Sequence, residues 1–211
     1  MKYRFLFLFF ITSIVTYSQY TLIPDPVFES FLIRNGYDSG NMDGKVLTAN
    51  INTITKLDFY DGTQNLIASL KGIEDFVALS ELNFNNGSLL SSLDISKNLA
   101  LTKLICTSNN LTTLDVSKNI NLRELQCHSN SISELDVSKN INLTLLNCSS
   151  NKLLSLNISK NIDLNILNCS DNKLTTLDTS SNLALTEIGC SMNQLTNLDV
   201  YKKQQTNIFI L

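Results

Sequence analysis

The sequence predicts a solenoid that is mainly β, built from stacked parallel strands, with a short helical cap at its N-terminus. Three observations predict it. Residues 101–121, LTKLICTSNNLTTLDVSKNIN, recur as a unit whose successors open at Leu122, Leu143, Leu164 and Leu185, each 21 residues on. The five cysteines, Cys106, Cys127, Cys148, Cys169 and Cys190, fall once per unit without slippage. Self-similarity at a fixed period of about 20–50 residues marks an architecture in which each unit buries its apolar edge only against its neighbours. The unit is also nested: Leu-x-x-Leu-x-Cys-x-x-Asn-x and Leu-x-x-Leu-Asp-Val-Ser-Lys-Asn-x-x are two versions of one half-turn. In each half, apolar and polar residues alternate, the period-2 signature of a strand buried on one face. An Asn three residues after the last apolar position is placed to close a turn through side-chain hydrogen bonds to backbone. Each coil therefore reads as two short strands and two turns. Stacked, the coils make two parallel sheets at roughly the 4.8 Å inter-strand spacing.

The half-unit Leu-x-x-Leu-x-Cys-x-x-Asn-x-Leu resembles the leucine-rich repeat signature, with Cys where Leu is more common. Its nested 21-residue form is similar to the secreted bacterial class of that family, and the resemblance covers about residues 79–211. It implies a leucine-rich repeat solenoid and a protein-binding role. It says little about which residues bind, because the motif positions are the buried ones.

Taken from its start, the chain opens with Lys2 and Arg4 before the apolar run FLFLFFITSIV and the small residue Ser18. That order suits a secretory signal peptide over residues 1–18, cleaved before Gln19. The apolar run is shorter than the roughly 20 residues a membrane span needs. The expectation is an exported protein, secreted or cell-surface associated, with no membrane contact after cleavage. Residues 19–53 read as an N-terminal cap. Asp25 caps a helix, Pro26 takes its first position, Gly36 follows as a stop, and Val27, Phe28, Phe31 and Leu32 make its apolar stripe. The Ile23–Glu29 opening, IPDPVFE, looks like the cap of secreted bacterial leucine-rich repeat proteins. Aligned on Asp43-Gly44, the segment from Asp38 resembles a calcium loop, but Ser39 and Asn50 stand where charged ligands belong. A tight Asp-Gly turn into the first strand is the reading preferred.

Residues 54–78 form an irregular first coil that begins Ile54-x-x-Leu57-x-Phe59, with Phe at the Cys step. Within it, Leu70-x-Gly72-Ile73-x-x-Phe76 resembles the linking turn of internalin-like repeats. Regular repeats occupy 79–211, first with Phe84 at the Cys step and one extra residue within Asn86–Leu90. At the far end Thr206-x-x-Phe209-x-Leu211 fits the opening strand of another unit, so the repeats read as truncated. Either the chain is a short form of a longer protein, or a partner covers that end. Self-association at this strand edge is a corresponding expectation.

Composition narrows the chemistry. The net charge is −3 and Lys and Arg are spread singly, which excludes a nucleic-acid footprint. Cysteines in one row, in register on neighbouring coils, keep their side chains nearly parallel, so they read as free, buried apolar groups rather than disulfides or a zinc site. A second row, Asp94, Asp115, Asp136, Asn157, Asp178 and Asp199, reads as turn-forming, with Lys97, Lys118, Lys139 and Lys160 three residues on. His128, the sole histidine, is expected on the outward side, level with Thr107 and Ser149 and without a nucleophile to activate. No catalytic residue, metal site or cofactor is expected.

What remains is the exposed face of the first sheet. Up the stack its two rows run Glu81, Lys103, Glu124, Leu145, Ile166, Glu187 and Asn83, Ile105, Gln126, Asn147, Asn168, Gly189. Leu145 and Ile166, with Ile105 further down, interrupt a polar surface, and solvent-facing apolar residues in a row suggest a contact patch. Lys103, Ile105, Glu124, Gln126, His128, Leu145, Asn147, Ile166 and Asn168 are thus the candidate contacts of a non-catalytic binding scaffold for a protein ligand. An adhesive module gripping glycan through Asn- and Ser-rich faces is the alternative.

Overall fold

A computed structural model describes residues 19–59, 67–85 and 90–196. Residues 1–18, expected to be a signal peptide, together with the extra residue near Asn86, Asp199 and the Phe209–Leu211 end, lie outside the described residues. Seven strands of three residues each form one parallel sheet in chain order: β3 (Lys56–Asp58), β4 (Glu81–Asn83), β5 (Lys103–Ile105), β6 (Glu124–Gln126), β7 (Leu145–Asn147), β8 (Ile166–Asn168) and β9 (Glu187–Gly189). Register is strict: Leu57, Leu82, Leu104, Leu125, Leu146, Leu167 and Ile188 stand opposite one another at the centre of each strand, all buried. A slip of one residue would turn that row to solvent, so burial of one face fixes the pairing.

The second sheet does not form. Leu114 and Val116 are buried with Asp115 exposed between them, so the alternation is real, but no strand is paired there among the described residues. Period 2 reports an extended backbone with one side buried; it does not report whether the neighbouring coil is close enough for a ladder. The back half is joined instead by one backbone bond per coil, such as Ser131 N to Leu111 O at 2.8 Å, and by asparagines. Asn119, Asn140, Asn161 and Asn182 are fully buried, and each Nδ2 donates to two carbonyls of the preceding coil at 2.8–3.1 Å. At the end of the sheet half, the Nδ2 groups of Asn130, Asn151 and Asn172 each donate to one carbonyl of the preceding coil and to carbonyls of their own coil, and their Oδ1 atoms accept a backbone N–H from the coil before. The turn asparagines therefore link coils as well as closing turns. The aspartate row behaves as expected: Asp94, Asp115, Asp136 and Asp178, with Asn157, each accept the N–H of the serine two residues on.

The cap is richer than the sequence suggested. Helix α1 (Pro26–Arg34) is capped by Asp25, whose Oδ1 accepts the N–H groups of Val27 and Phe28. Asp25 Oδ2 accepts those of Ala68 and Ser69, both at 2.9 Å, which ties the cap to the first coil. Glu29 is buried and its Oε1 accepts the Asp43 and Gly44 N–H groups at 2.7 Å, anchoring the Asp-Gly turn. That turn leads into β2 (Lys45–Leu47), which pairs antiparallel with β1 (Tyr20–Leu22) rather than starting the main sheet. A one-turn helix, α2 (Thr48–Ile51), and a 3-10 turn at Ile73–Asp75 were not legible as periodic patterns because each is too short to show a period. Phe28, Phe31, Phe59, Phe76 and Phe84 cluster with ring centroids 4.4–6.1 Å apart. Phe at the Cys step of the first two coils fills the space between helix and stack; once the helix is left behind, Cys suffices. Gly72 (φ 102°) lies under the β1 end, where a Cβ would stand 2.6 Å from Leu22 O.

Five successive coils each place a non-glycine residue in the left-handed region: Ser108, Ser129, Ser150, Asp171 and Met192, with φ of 51–57°. That conformation costs an L-residue about 1–2 kcal/mol. Replacing Ser129 with Gly is expected to raise stability by about 0.5–1 kcal/mol, read as a higher melting temperature. Gly at neighbouring Asn130, whose side chain holds two coils together, is expected to lower it.

Candidate functional site

The two rows of outward side chains lie where the sequence placed them, half-buried on β4 to β8, with Glu187 on β9 more exposed. The face divides into two parts. At its lower end Lys103 Nζ lies 2.9 Å from Glu124 Oε2, and Gln126 Nε2 donates to Glu124 Oε1 at 2.6 Å. Lys56 and Glu81 form a second ion pair at 3.4 Å. These charges satisfy one another across adjacent coils, leaving Ile105 as an apolar member of a polar surface.

The upper end is different. Leu145 and Ile166 stand opposite each other in register, as do Asn147 and Asn168. With Gln126, Ser170, Glu187 and Gly189 they line a shallow depression of about 310 Å³. Gly189 opens it: a Cβ there would lie 2.9 Å from Asn168 Oδ1 and 3.1 Å from Ser170 Oγ. The Asn carboxamides are oriented from below, since Asn147 Oδ1 accepts from Ser149 Oγ at 2.8 Å and Asn168 Oδ1 accepts the Ser170 N–H at 3.1 Å. Of the sequence-level candidates, Gln126, Leu145, Asn147, Ile166 and Asn168 are brought together, while Lys103, Ile105 and Glu124 form the neighbouring polar end. The depression's upper rim, Glu187, Ser170 and Gly189, was missed. A Gly at the step where other coils carry Asn, Gln or Ile was the available signal.

His128 does not line the depression. It is half-buried, its Nδ1 has no partner, and burial pulls its pKa down. Thr107, expected on the same outward step, is instead fully buried with an unpartnered Oγ1. At the same step His128, Ser149 and Ser170 are half-buried, so Thr107 is the inward exception among them. Among the described residues no group of three or more His, Cys, Asp or Glu is arranged to hold a metal ion.

The five cysteines are free and buried. Burial pushes the Cys106 thiol up to about 12 and those of Cys127 and Cys148 well above the usual range. The folded chain therefore keeps these protons where the unfolded chain releases them, so stability falls as pH rises above about 9. A thiol reagent at pH 8 is expected to label none of the five until denaturant is added, Cys190 at the last described coil reacting first.

No protein-family model and no curated protein sequence matches the chain. Solved structures do. Internalin C2 of Listeria monocytogenes is 21% identical over 90% of this chain and 93% of its own, with a TM-score of 0.64. The fold is the leucine-rich repeat solenoid. A second internalin of that organism (inlF) is 24% identical over 84% of this chain, with a TM-score of 0.63. The functional domain of InlJ, described as including a cysteine ladder, is 28% identical over 88% of this chain, with a TM-score of 0.46. The chain spans 55% of that domain's length and 59% of the inlF structure. The leucine-rich repeats here thus share their fold with internalins. No helix among the described residues is long and apolar enough to cross a membrane.

Proposed function

We propose that the chain is an exported, non-catalytic scaffold that binds a protein partner through the exposed face of its leucine-rich repeat sheet, centred on Leu145 and Ile166. One observation carries the reading: two adjacent aliphatic side chains stand together on a largely polar face, beside a gap that Gly189 keeps open. Aliphatic anchors in a partly enclosed site with polar groups around them are how protein interfaces concentrate binding energy. Export rests on the sequence before Gln19. The internalin-like fold supports a scaffold role, since a rigid stack presents a fixed array of side chains without needing a reactive group.

The test is selection of binders from a displayed random-peptide library, with a glycan array run in parallel. Peptides that bind the wild type are expected to lose tenfold or more in affinity to Leu145→Ser and to Ile166→Ser, with melting unchanged. Peptides indifferent to both substitutions would remove this face from the reading. Glycan binding without peptide binding would favour an adhesive module instead.

A further inference from the structure

A second row of apolar side chains runs along the stack, away from the sheet. Val77, Leu99, Ile120, Ile141, Ile162 and Leu183 are each at least 55% exposed. All occupy one step of the coil, directly after the turn that the buried asparagines hold. Register there is enforced by side-chain bonds from coil to coil: Asn98 to Phe76 O, Asn119 to Asn98 O, Asn140 to Asn119 O, Asn161 to Asn140 O and Asn182 to Asn161 O, at 2.8–3.1 Å. At roughly 4.8 Å per coil the row is about 24 Å long. It is a straight ridge on a rigid base, and it amounts to several hundred Å² of apolar surface, comparable to the largest patch of roughly 300–600 Å² on a typical monomer.

The two flanks of the ridge differ in charge. Two residues before it stand Lys97, Lys118, Lys139 and Lys160. One residue after it stand Asn121, Asn142 and Asp163, with alanine in the outer coils. In the coils of Asp94, Asp115 and Asp136 the serine N–H bond chiefly, and the lysine in addition, hold the carboxyl below its ordinary range. Lys160 has no such aspartate, because Asn157 replaces it, and that same coil carries Asp163 on the opposite flank. Asn121 and Asn142 donate to Leu99 O at 3.1 Å and Ile120 O at 3.2 Å. A carboxylate at 163 cannot make the equivalent bond to Ile141 O. The coil thus forgoes a ladder bond to hold an acidic group that does not pair with its own Lys160.

We infer that this ridge is the contact between two copies of the chain, related by a two-fold axis parallel to the solenoid axis. Three features select a second copy and that arrangement. A ridge repeating once per coil meshes along its whole length with a partner of the same repeat, which a second copy has by construction. Rotation about an axis parallel to the ridge lays the lysine flank of each copy over the Asn/Asp163 flank of the other, so Lys160 of each faces Asp163 of the other. An axis across the ridge would set lysine against lysine. With its flanks, the strip approaches the roughly 800 Å² per partner of a standard interface, and a two-fold contact uses the same patch on both copies. The binding face on the sheet stays open.

Sedimentation equilibrium across micromolar concentrations tests this on the purified chain and five variants. The wild type is expected to dimerise. Ile141→Glu, at an exposed position, is expected to weaken the dimer 100-fold or more with an unchanged circular-dichroism spectrum. Asp163→Asn restores the ladder bond, so it is expected to weaken the dimer about tenfold without lowering the monomer's melting temperature. Asp163→Lys is expected to weaken it further, and the double swap Lys160→Asp with Asp163→Lys to recover it. A wild type monomeric throughout, or a dimer indifferent to Ile141→Glu, would overturn the inference. So would a double swap no better than Asp163→Lys, or a monomer that instead co-sediments with phosphatidylglycerol vesicles. Leu145→Ser is expected to leave the dimer intact, which separates this result from the binding reading.

Discussion

Leu135→Asp is expected to abolish the cooperative unfolding transition, leaving a chain that is unfolded or aggregated at 25 °C. Leu135 is buried in the back half of its coil, level with Leu114 and Leu156 in the coils on either side. The substitution removes an apolar contact worth about 2 kcal/mol. It adds a carboxylate without a partner, whose burial costs several kcal/mol more. Against a total stability of about 5–15 kcal/mol for a domain, the sum takes most of what there is. Each coil rests only on its neighbours, so a break in the middle also separates the cap from the upper stack. Leu154→Asp is the control, because Leu154 is 65% exposed although Leu153 beside it is fully buried. Thermal melting by circular dichroism checks both. A soluble Leu135→Asp protein with the wild-type melt would mean that the register along the back half is wrong.

Asn140→Ala is expected to lower stability by about 2–3 kcal/mol, a fall in melting temperature of roughly 5–10 °C. Asn140 is fully buried, and its Nδ2 donates to Val116 O at 3.0 Å and Asn119 O at 2.9 Å. Its Oδ1 has no partner, so the side chain carries the cost of one buried acceptor in return for two donors. Each carbonyl keeps a backbone bond, from Asn119 N and Leu122 N respectively, which is why the loss stays below that of a fully orphaned group. Asn142→Ala removes one exposed bond, to Ile120 O, and is expected to cost less than about 1 kcal/mol. Equal effects at the two positions would show that the buried ladder does not hold the coils together.

The repeat alone determined the solenoid. A 21-residue period with Leu, Leu and Cys at fixed steps admits one stacked arrangement, and the buried central row from Leu57 to Ile188 is that pattern in space. The helix at Pro26–Arg34 and its Asp25 cap were legible for the same reason, since capping and helical periodicity are local. The Leu145–Ile166 pair was also visible, because strand alternation says which side chains face out. Three things needed the tertiary structure. Whether the back half forms a sheet depends on coil-to-coil distance, which alternation does not encode, and the answer there is asparagine bonds in place of a strand ladder. That Glu29 holds the Asp43–Gly44 turn, and Asp25 the Ala68–Ser69 backbone, are contacts across 14 to 44 residues that no local pattern carries. The aliphatic ridge from Val77 to Leu183 was hidden because its residues sit inside turns, where apolar side chains read as buried until the fold shows which way the turn faces.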